Sequence, residues 1–112
     1  MKKLNIIKKS FEFDNIIKTG KKYSNKYFNV YIKDNNLKRT RFGICVSKKL
    51  GNAVIRNKNK RQIKDIIDKS NLIFSNNKDY VIILKNEINL IKYDKKKTNL
   101  INLLEGANNE KK

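Results

Sequence analysis

The 112-residue sequence contains no histidine, no proline and no tryptophan, and its only cysteine is Cys45. Without histidine the chain lacks the commonest general base and metal ligand, so we assign it no catalytic residue and no metal ligand of its own. A single cysteine cannot form a disulfide within the chain, which fits a reducing cytoplasmic location. Cys45 lies in a predicted strand, where we expect a buried, unreactive thiol.

Long apolar runs are also missing, which argues against a membrane-spanning or secreted protein. No run approaches the ~18 residues that a membrane-spanning helix needs. The first residues, MKKLNIIKKSFEF, are basic but have neither a long apolar stretch nor a small-residue cleavage site, so we expect no signal peptide. The phosphate-binding pattern GxxxxGK is absent, which argues against an ATPase.

Carboxylates are scarce: 10 Asp and Glu stand against 28 Lys and Arg, giving a net charge of +18 and an isoelectric point near 10.1. A compact body with this charge repels itself, so we expect a polyanionic partner, with nucleic acid first and an anionic membrane surface second. The abundance of Ile, Asn and Lys indicates a compositional bias that explains some of the Lys. It does not explain the shortage of carboxylates.

The hydrophobic pattern predicts a single domain over residues 1–112, with a flexible basic arm at 1–9 and a flexible tail at 106–112. Between them we predict helices at 11–19 (capped by Ser10 and ended by Gly20), 53–69 and 90–105, and strands near 22–25 and at 26–34, 41–49 and 78–86. The order α-β-β-β-α-β-α predicts an α/β (α+β) two-layer sandwich, in which helices pack on a small mixed sheet.

The predicted helix 53–69 carries two stripes. Ile63, Ile66 and Ile67 share an apolar face, with Asn59 among them as a polar exception that lies near the sheet edge or is hydrogen-bonded. Beside that face runs a basic stripe about 140° wide by helical geometry, while Lys58 lies apart on the far side; the stripe contains Arg56, Asn57, Lys60, Arg61 and Lys64. Positive charge near a helix N-terminus opposes the helix dipole, and bound phosphate would reverse that effect. An ordinary solvated face is the alternative, but such faces mix Glu with Lys, and the predicted helix contains no carboxylate before Asp65.

The string RFGICVSKKLGNAVIRNKNKRQIKDII resembles the signature region of the bacterial ribonuclease P protein component. The matching parts are Ser47-Lys48-Lys49, Gly51-Asn52-Ala53-Val54 and the basic run from Arg56 to Arg61, and the similarity extends over about residues 5–105. Two positions depart from the family pattern. Lys58 stands where Arg is common, which keeps the charge but loses bidentate geometry. Ile17 stands where the family often has an aromatic residue.

The resemblance implies a fold with a left-handed βαβ crossover and an auxiliary role in an endoribonuclease. A catalytic RNA subunit would hold Mg²⁺ and remove the 5′ leader from precursor tRNA and from related precursors such as that of 4.5S RNA. One monomeric copy of the protein would bind each RNA. The residues implied for RNA-subunit binding are Lys48, Lys49, Asn52, Arg56, Asn57, Lys58, Lys60, Arg61 and Lys64.

The resemblance also implies a leader-binding cleft formed by Phe13, Ile17, Phe28 and Tyr31. Alternation in the strand 26–34 places Tyr31 on a half-exposed face, which suits stacking of single-stranded bases. It places Phe28 with Val30 and Ile32 on the aliphatic face, so a core role for Phe28 is an equal alternative.

Other functions remain as alternatives. A ribosomal or other structural RNA-binding protein would fit the charge, the helix and the aromatic residues equally well, and only the motif separates the two interpretations. A protein-only nuclease would need clustered carboxylates to hold metal ions, and Asp65 and Asp68 are better explained as salt-bridge partners of the neighbouring cations. The predicted strands disfavour a helix-turn-helix DNA-binding protein.

Overall fold

The computed structural model of the chain describes residues 5–70, 72, 74 and 77–109. Three helices and four strands follow in the predicted order, with short 3₁₀ turns at Lys48–Leu50 and Asn86–Leu90. The elements are α1 (Ser10–Thr19), β1 (Lys21–Ser24), β2 (Phe28–Asp34), β3 (Arg41–Val46), α2 (Ala53–Lys69), β4 (Lys78–Leu84) and α3 (Tyr93–Asn109). Within the described ranges, no helix combines the length and the apolar character needed to cross a membrane.

The four strands form one mixed sheet in the order β1-β2-β4-β3. The β1–β2 and β2–β4 pairs are antiparallel, whereas β3 and β4 are parallel and are connected through α2. Tyr80, Val81 and Ile82 of the central strand β4 are fully buried. A strand that is covered on both faces needs an unbroken apolar run, which explains the YVIIL segment.

Helices cover the two faces of the sheet unequally. The main hydrophobic cluster joins β2, β3 and β4 to α2 and α3, and includes Phe28, Val30, Ile63, Ile66, Leu100 and Leu104. On the opposite face a smaller cluster joins α1 to the sheet through Ile7, Ile16 and Val81. The alternation predicted for β2 is confirmed, because Phe28 and Val30 belong to the main cluster and Tyr31 to the smaller one.

Part of the N-terminal segment contacts the sheet. Ile6 forms a parallel bridge with Phe42, and the Ile7 N–H donates to the Phe42 carbonyl at 2.9 Å. Ile6 and Ile7 of the predicted arm thus pair with β3, an edge strand that offers free backbone groups. The flexibility of the arm 1–9 stays a prediction, and residues 1–4 lie outside the described residues. Ser10 begins α1 rather than capping it, because the cap position is Lys9.

Two predicted strands are shorter in the structure because side chains redirect the backbone. The Asn25 side chain accepts the N–H groups of Tyr27 and Phe28, both at 2.9 Å, so β2 begins at Phe28 and not at residue 26. The Ser47 side chain accepts the Lys49 N–H and starts a 3₁₀ turn, so β3 ends at Val46 and not at residue 49. A further predicted strand, 78–86, is also shorter in the structure, because β4 ends at Leu84.

The last helix is shifted towards the C-terminus relative to the predicted range 90–105. Ile91 has an extended backbone after the second 3₁₀ turn, and α3 begins at Tyr93. It continues past residue 105, where Ala107 is buried and the Tyr80 hydroxyl donates to Asn108 Oδ1 at 3.2 Å. The helix therefore extends into the predicted tail 106–112, whose flexibility stays a prediction; residues 110–112 lie outside the described residues.

Candidate nucleic-acid interface

A tight turn after β3 determines where α2 begins. Gly51 has a φ of 141°, a backbone conformation that residues with a side chain adopt only with strain. A Cβ there would also come within about 3.0 Å of Ile55. Asn52 has ordinary backbone angles and caps α2, its Oδ1 accepting the Ile55 N–H at 3.0 Å. One predicted RNA-contact residue, Asn52, thus has a structural role as well.

The basic stripe of α2, comprising Arg56, Asn57, Lys60, Arg61 and Lys64, carries its charge without neutralisation. Within the described part of the chain, none of its four cations forms an ion pair with a carboxylate. Arg56 Nε is buried and has no hydrogen-bond partner there. A row of unpaired cations in the first turns of a helix is suited to bind phosphates, which can satisfy both the side chains and the helix dipole.

The other predicted RNA-contact lysines lie on either side of this stripe. Lys48 and Lys49 are exposed in the 3₁₀ turn that precedes α2. Lys58 lies on the flank of α2 that faces α3, so the structure does not bring it to the stripe, in agreement with the helical wheel. Asn59 is buried and hydrogen-bonded: its Nδ2 donates to the Ile55 carbonyl at 3.2 Å and to Asn89 Oδ1 at 3.3 Å.

Three of the four predicted leader-contact residues come together on the face of the sheet that α1 partly covers. Phe13, Ile17 and Tyr31 are half-buried there, beside Cys45 and Ile83. Phe28 is fully buried in the main cluster on the opposite face, so the structure does not bring it to this surface.

A cleft of about 420 Å³ connects this face to the basic stripe around the edge of β3. Ile6, Phe13 and Phe42 form its apolar wall, and Lys60 and Lys64 contribute cations. An apolar wall beside cations matches a single-stranded nucleic acid, whose bases stack while its backbone needs positive charge. Lys60 and Lys64 therefore serve both the stripe and the cleft.

The sequence reasoning missed seven of the ten residues that line the cleft, namely Ile6, Ile7, Lys8, Phe42, Ile44, Cys45 and Val46. It also missed Gly43, which lies beside the cleft. Cys45 lines it, and burial raises the pKa of its thiol while Lys60 acts in the opposite direction. Gly43 lies beneath the Phe13 ring, where a Cβ would come within 2.4 Å of ring carbon Cε1. A glycine inside a strand often marks such a close approach, which was the available signal.

A buried ion-pair network, also missed by the sequence reasoning, holds α1 against the sheet. Arg41 Nε and Nη2 donate to the two carboxylate oxygens of Asp79 at 2.9 and 2.7 Å, and Nη1 donates to Glu12 of α1 at 3.1 Å. The hydrogen bonds that Arg41 donates to Asp79, with a smaller contribution from Glu12, keep the pKa of Arg41 above its ordinary value although burial acts to lower it. Because Glu12 precedes Phe13, this network positions the cleft wall.

Comparisons with known proteins show the family of the chain. The ribonuclease P family model matches residues 1–108. The ribonuclease P protein component of Mycoplasma mycoides is 42% identical over 105 residues, which cover 93% of this chain and 96% of that protein. The RNase P protein of Staphylococcus aureus has a similar structure, with a TM-score of 0.82, 36% identity and coverage of 92% of this chain and 94% of that one. For the RNase P protein of Thermotoga maritima the TM-score is 0.78 with 30% identity, covering 88% of this chain and 93% of that one. With its basic helix, its aromatic cleft and these relatives, the chain belongs to the bacterial ribonuclease P protein family.

Proposed function

We propose that the chain is the protein subunit of a ribonuclease P that removes the 5′ leader from precursor tRNA, while the RNA subunit performs the chemistry. Family membership implies tRNA processing, RNA binding and a partner RNA subunit. The observation that carries the finer assignment is the continuity between the unneutralised stripe of α2 and the aromatic cleft. One protein can thereby contact two RNA segments, the RNA subunit at the stripe and the leader in the cleft.

The division of chemistry rests on what the side chains can hold. Among the described residues, no three acidic, cysteine or histidine side chains converge on a point that would suit Mg²⁺. We assign the Mg²⁺ ions mainly to the RNA subunit. The protein neutralises phosphates, so less Mg²⁺ is needed to screen them. The proposal includes one monomeric copy per RNA, a cytoplasmic location and related substrates such as the precursor of 4.5S RNA.

Leader recognition would use Phe13, Ile17 and Tyr31. Aromatic stacking accepts any base, because every base has a π-face, so one cleft can serve leaders of different sequence. Ile17 contributes apolar contact without stacking. The cations Lys60 and Lys64 would contact the leader backbone in the cleft that Phe13 lines, and Ile17 and Tyr31 lie on the adjoining sheet face.

A cleavage assay at low Mg²⁺ tests the assignment directly. Precursor tRNA is incubated with the protein, with a bacterial ribonuclease P RNA, and with both. We expect cleavage at the mature 5′ end only in the mixture. Robust cleavage by the protein without RNA would refute the accessory role, and tight RNA binding without stimulation would favour a structural RNA-binding protein.

Arg61→Ala is expected to weaken binding to the RNA subunit and to reduce the salt dependence of that binding. Each lost phosphate contact lowers the slope of log K against log salt by roughly 0.7–0.9. Lys95→Ala removes the same charge from an exposed position on α3 and is the matched control. Binding titrations at several salt concentrations give the slopes, and an unchanged slope for Arg61→Ala would exclude it from the contact set.

Alkylation of Cys45 is expected to obstruct the cleft. It is the only thiol, and the structure leaves it half-buried rather than buried as the sequence predicts, so N-ethylmaleimide can give a single thiol adduct. The thiolate is the reacting form, and burial raises the pKa of the thiol, so the rate increase with pH should extend to higher pH than for an exposed thiol. Loss of one stacked base would weaken precursor tRNA binding by the holoenzyme at least about 5-fold. Cys45→Ser, treated identically, is the control, and full affinity after complete alkylation would show that the leader does not enter here.

A further inference from the structure

A second basic groove lies between α2 and α3, on the flank of α2 that faces away from the cleft. It has a volume of about 600 Å³ and contains three lysines, Lys58, Lys92 and Lys96. Lys96 is only 7% exposed. Its Nζ donates to Asn59 Oδ1 at 3.0 Å and to Gln62 Oε1 at 2.7 Å, both on α2.

The surroundings of Lys96 contrast with those of Arg41, another buried cation. Arg41 has two carboxylate partners, Asp79 and Glu12. Lys96 contacts only neutral amide oxygens, and no carboxylate is among the described side chains that line the groove. Burial, with a smaller contribution from Lys58, lowers the pKa of Lys96. A buried ammonium without a counter-charge costs free energy, which an anion in the groove would offset.

The hydrogen-bonding capacity of the groove also fits an anion. An ammonium has three donors, and the two amide oxygens use two of them, which leaves one for a ligand. Lys58 and Lys92 are exposed at the rim and can reach the same ligand with flexible side chains. Two carboxylates lie close to the groove residue Tyr93 without lining the groove. Asp65 is bonded to the Tyr93 hydroxyl at 2.6 Å and to Lys69 at 3.2 Å, and Asp94 lies in the first turn of α3.

We propose that this groove binds a backbone phosphate of RNA, with Lys96 as the buried contact and Lys58 and Lys92 at the rim. The identity of the partner as RNA rests on the proposed function. The basic stripe occupies one flank of α2 and this groove the other, so α2 lies between two segments of phosphate backbone. An α-helix with side chains is about 10–12 Å across, which is the separation that the two backbone segments must have.

The test variant must remove the site without unfolding the chain. Lys96→Met alone leaves Asn59 Oδ1 buried without its donor. Asn59→Leu/Lys96→Met replaces both members of the buried Asn59–Lys96 hydrogen bond by apolar side chains of similar size, a change that is close to neutral for stability in comparable sites. Gln62 Oε1 and Asn89 Oδ1 each lose a donor, but Gln62 is half-buried and Asn89 exposed, so water can replace it. Gln62 remains in this variant as a reporter of the groove.

The first measurement is a titration of ¹⁵N-labelled protein with inorganic phosphate at constant ionic strength, followed by NMR. In the wild type, we expect saturable shifts of the Gln62 side-chain amide and the Lys96 backbone amide. In the double variant the shift of Gln62 should be lost, while amides of the basic stripe still respond. No shift at Gln62 in the wild type would overturn the proposal.

The second measurement distinguishes an RNA phosphate from free phosphate. Binding of a bacterial ribonuclease P RNA is measured against salt concentration for the wild type, the double variant, Arg61→Ala and the combination. We expect the double variant to lower the slope by roughly 0.7–0.9 and its effect to add to that of Arg61→Ala. A response to inorganic phosphate with an unchanged RNA slope would overturn the assignment to RNA. These slopes do not depend on cleavage, so failure of the cleavage assay remains a separate result.

Discussion

Replacing Arg41 by Met is expected to lower the free energy of unfolding by about 3–5 kcal/mol, the usual cost of removing one partner from a buried ion pair. Asp79 is 5% exposed and would remain buried with only the Asn35 amide, which donates to Oδ1 at 2.7 Å. Urea denaturation followed by circular dichroism, in phosphate buffer, measures the change.

Two further variants serve as controls for Arg41→Met: one removes an exposed charge, and the other removes the carboxylate partner of Arg41. Lys18→Ala removes a positive charge from an exposed site on α1 and should change stability by no more than about 0.5 kcal/mol. Asp79→Asn removes the carboxylate instead and should destabilise the chain to a comparable degree, because Arg41 then keeps only Glu12 as a charged partner. If Arg41→Met unfolds at the same urea concentration as Lys18→Ala, the network does not hold the fold together.

Phe13→Ala is expected to weaken binding of precursor tRNA to the holoenzyme by about 5- to 150-fold, with binding of mature tRNA unchanged. The range corresponds to ~1–3 kcal/mol for the loss of one stacked base. Phe13 lies half-buried in the cleft wall, where Gly43 leaves room for its ring. Equilibrium binding of precursor and mature tRNA to the reconstituted holoenzyme measures both affinities for the variant and the wild type.

The same helix provides a matched control for the Phe13 experiment. Phe11 is 66% exposed and does not line the cleft, so Phe11→Ala should bind both tRNAs as the wild type does. Gly43→Ala keeps the phenyl ring but displaces it, and should weaken precursor binding in the same direction as Phe13→Ala. Tyr31→Ala should also weaken binding of precursor tRNA without weakening binding of mature tRNA. Equal losses for precursor and mature tRNA would show that these residues do not contact the leader.

Periodicity within single elements was sufficient to predict much of the site. The helical wheel of α2 separated the basic stripe from Lys58, and the structure places them on opposite flanks of the helix. Strand alternation separated Tyr31 from Phe28, and these residues belong to different clusters. The element order was correct as well, because each of these properties depends on neighbours within a few residues.

Predictions failed at the ends of elements, where local signals compete with distant partners. Ile6 and Ile7 looked like part of a loose arm until the edge of β3 supplied their backbone partner. Residues 106–108 looked like a tail, but Tyr80, 28 residues from Asn108 along the chain, donates a hydrogen bond there. Ser47 ended β3 early through its own side chain, a local effect that the alternating pattern concealed.

By itself the sequence determined the excess of positive charge, the order of the elements and the two stripes of α2, because composition and short-range periodicity are properties of the chain alone. Only the tertiary structure decided which charges are neutralised. Arg41 acquires its carboxylates from residues 29 and 38 positions away, whereas Lys96 finds only amides from residues 34 and 37 positions away. Both lie among other basic residues in the sequence, Arg41 after Lys38 and Arg39, and Lys96 between Lys95 and Lys97. The burial that distinguishes a paired from an unpaired cation arises only when distant elements pack together.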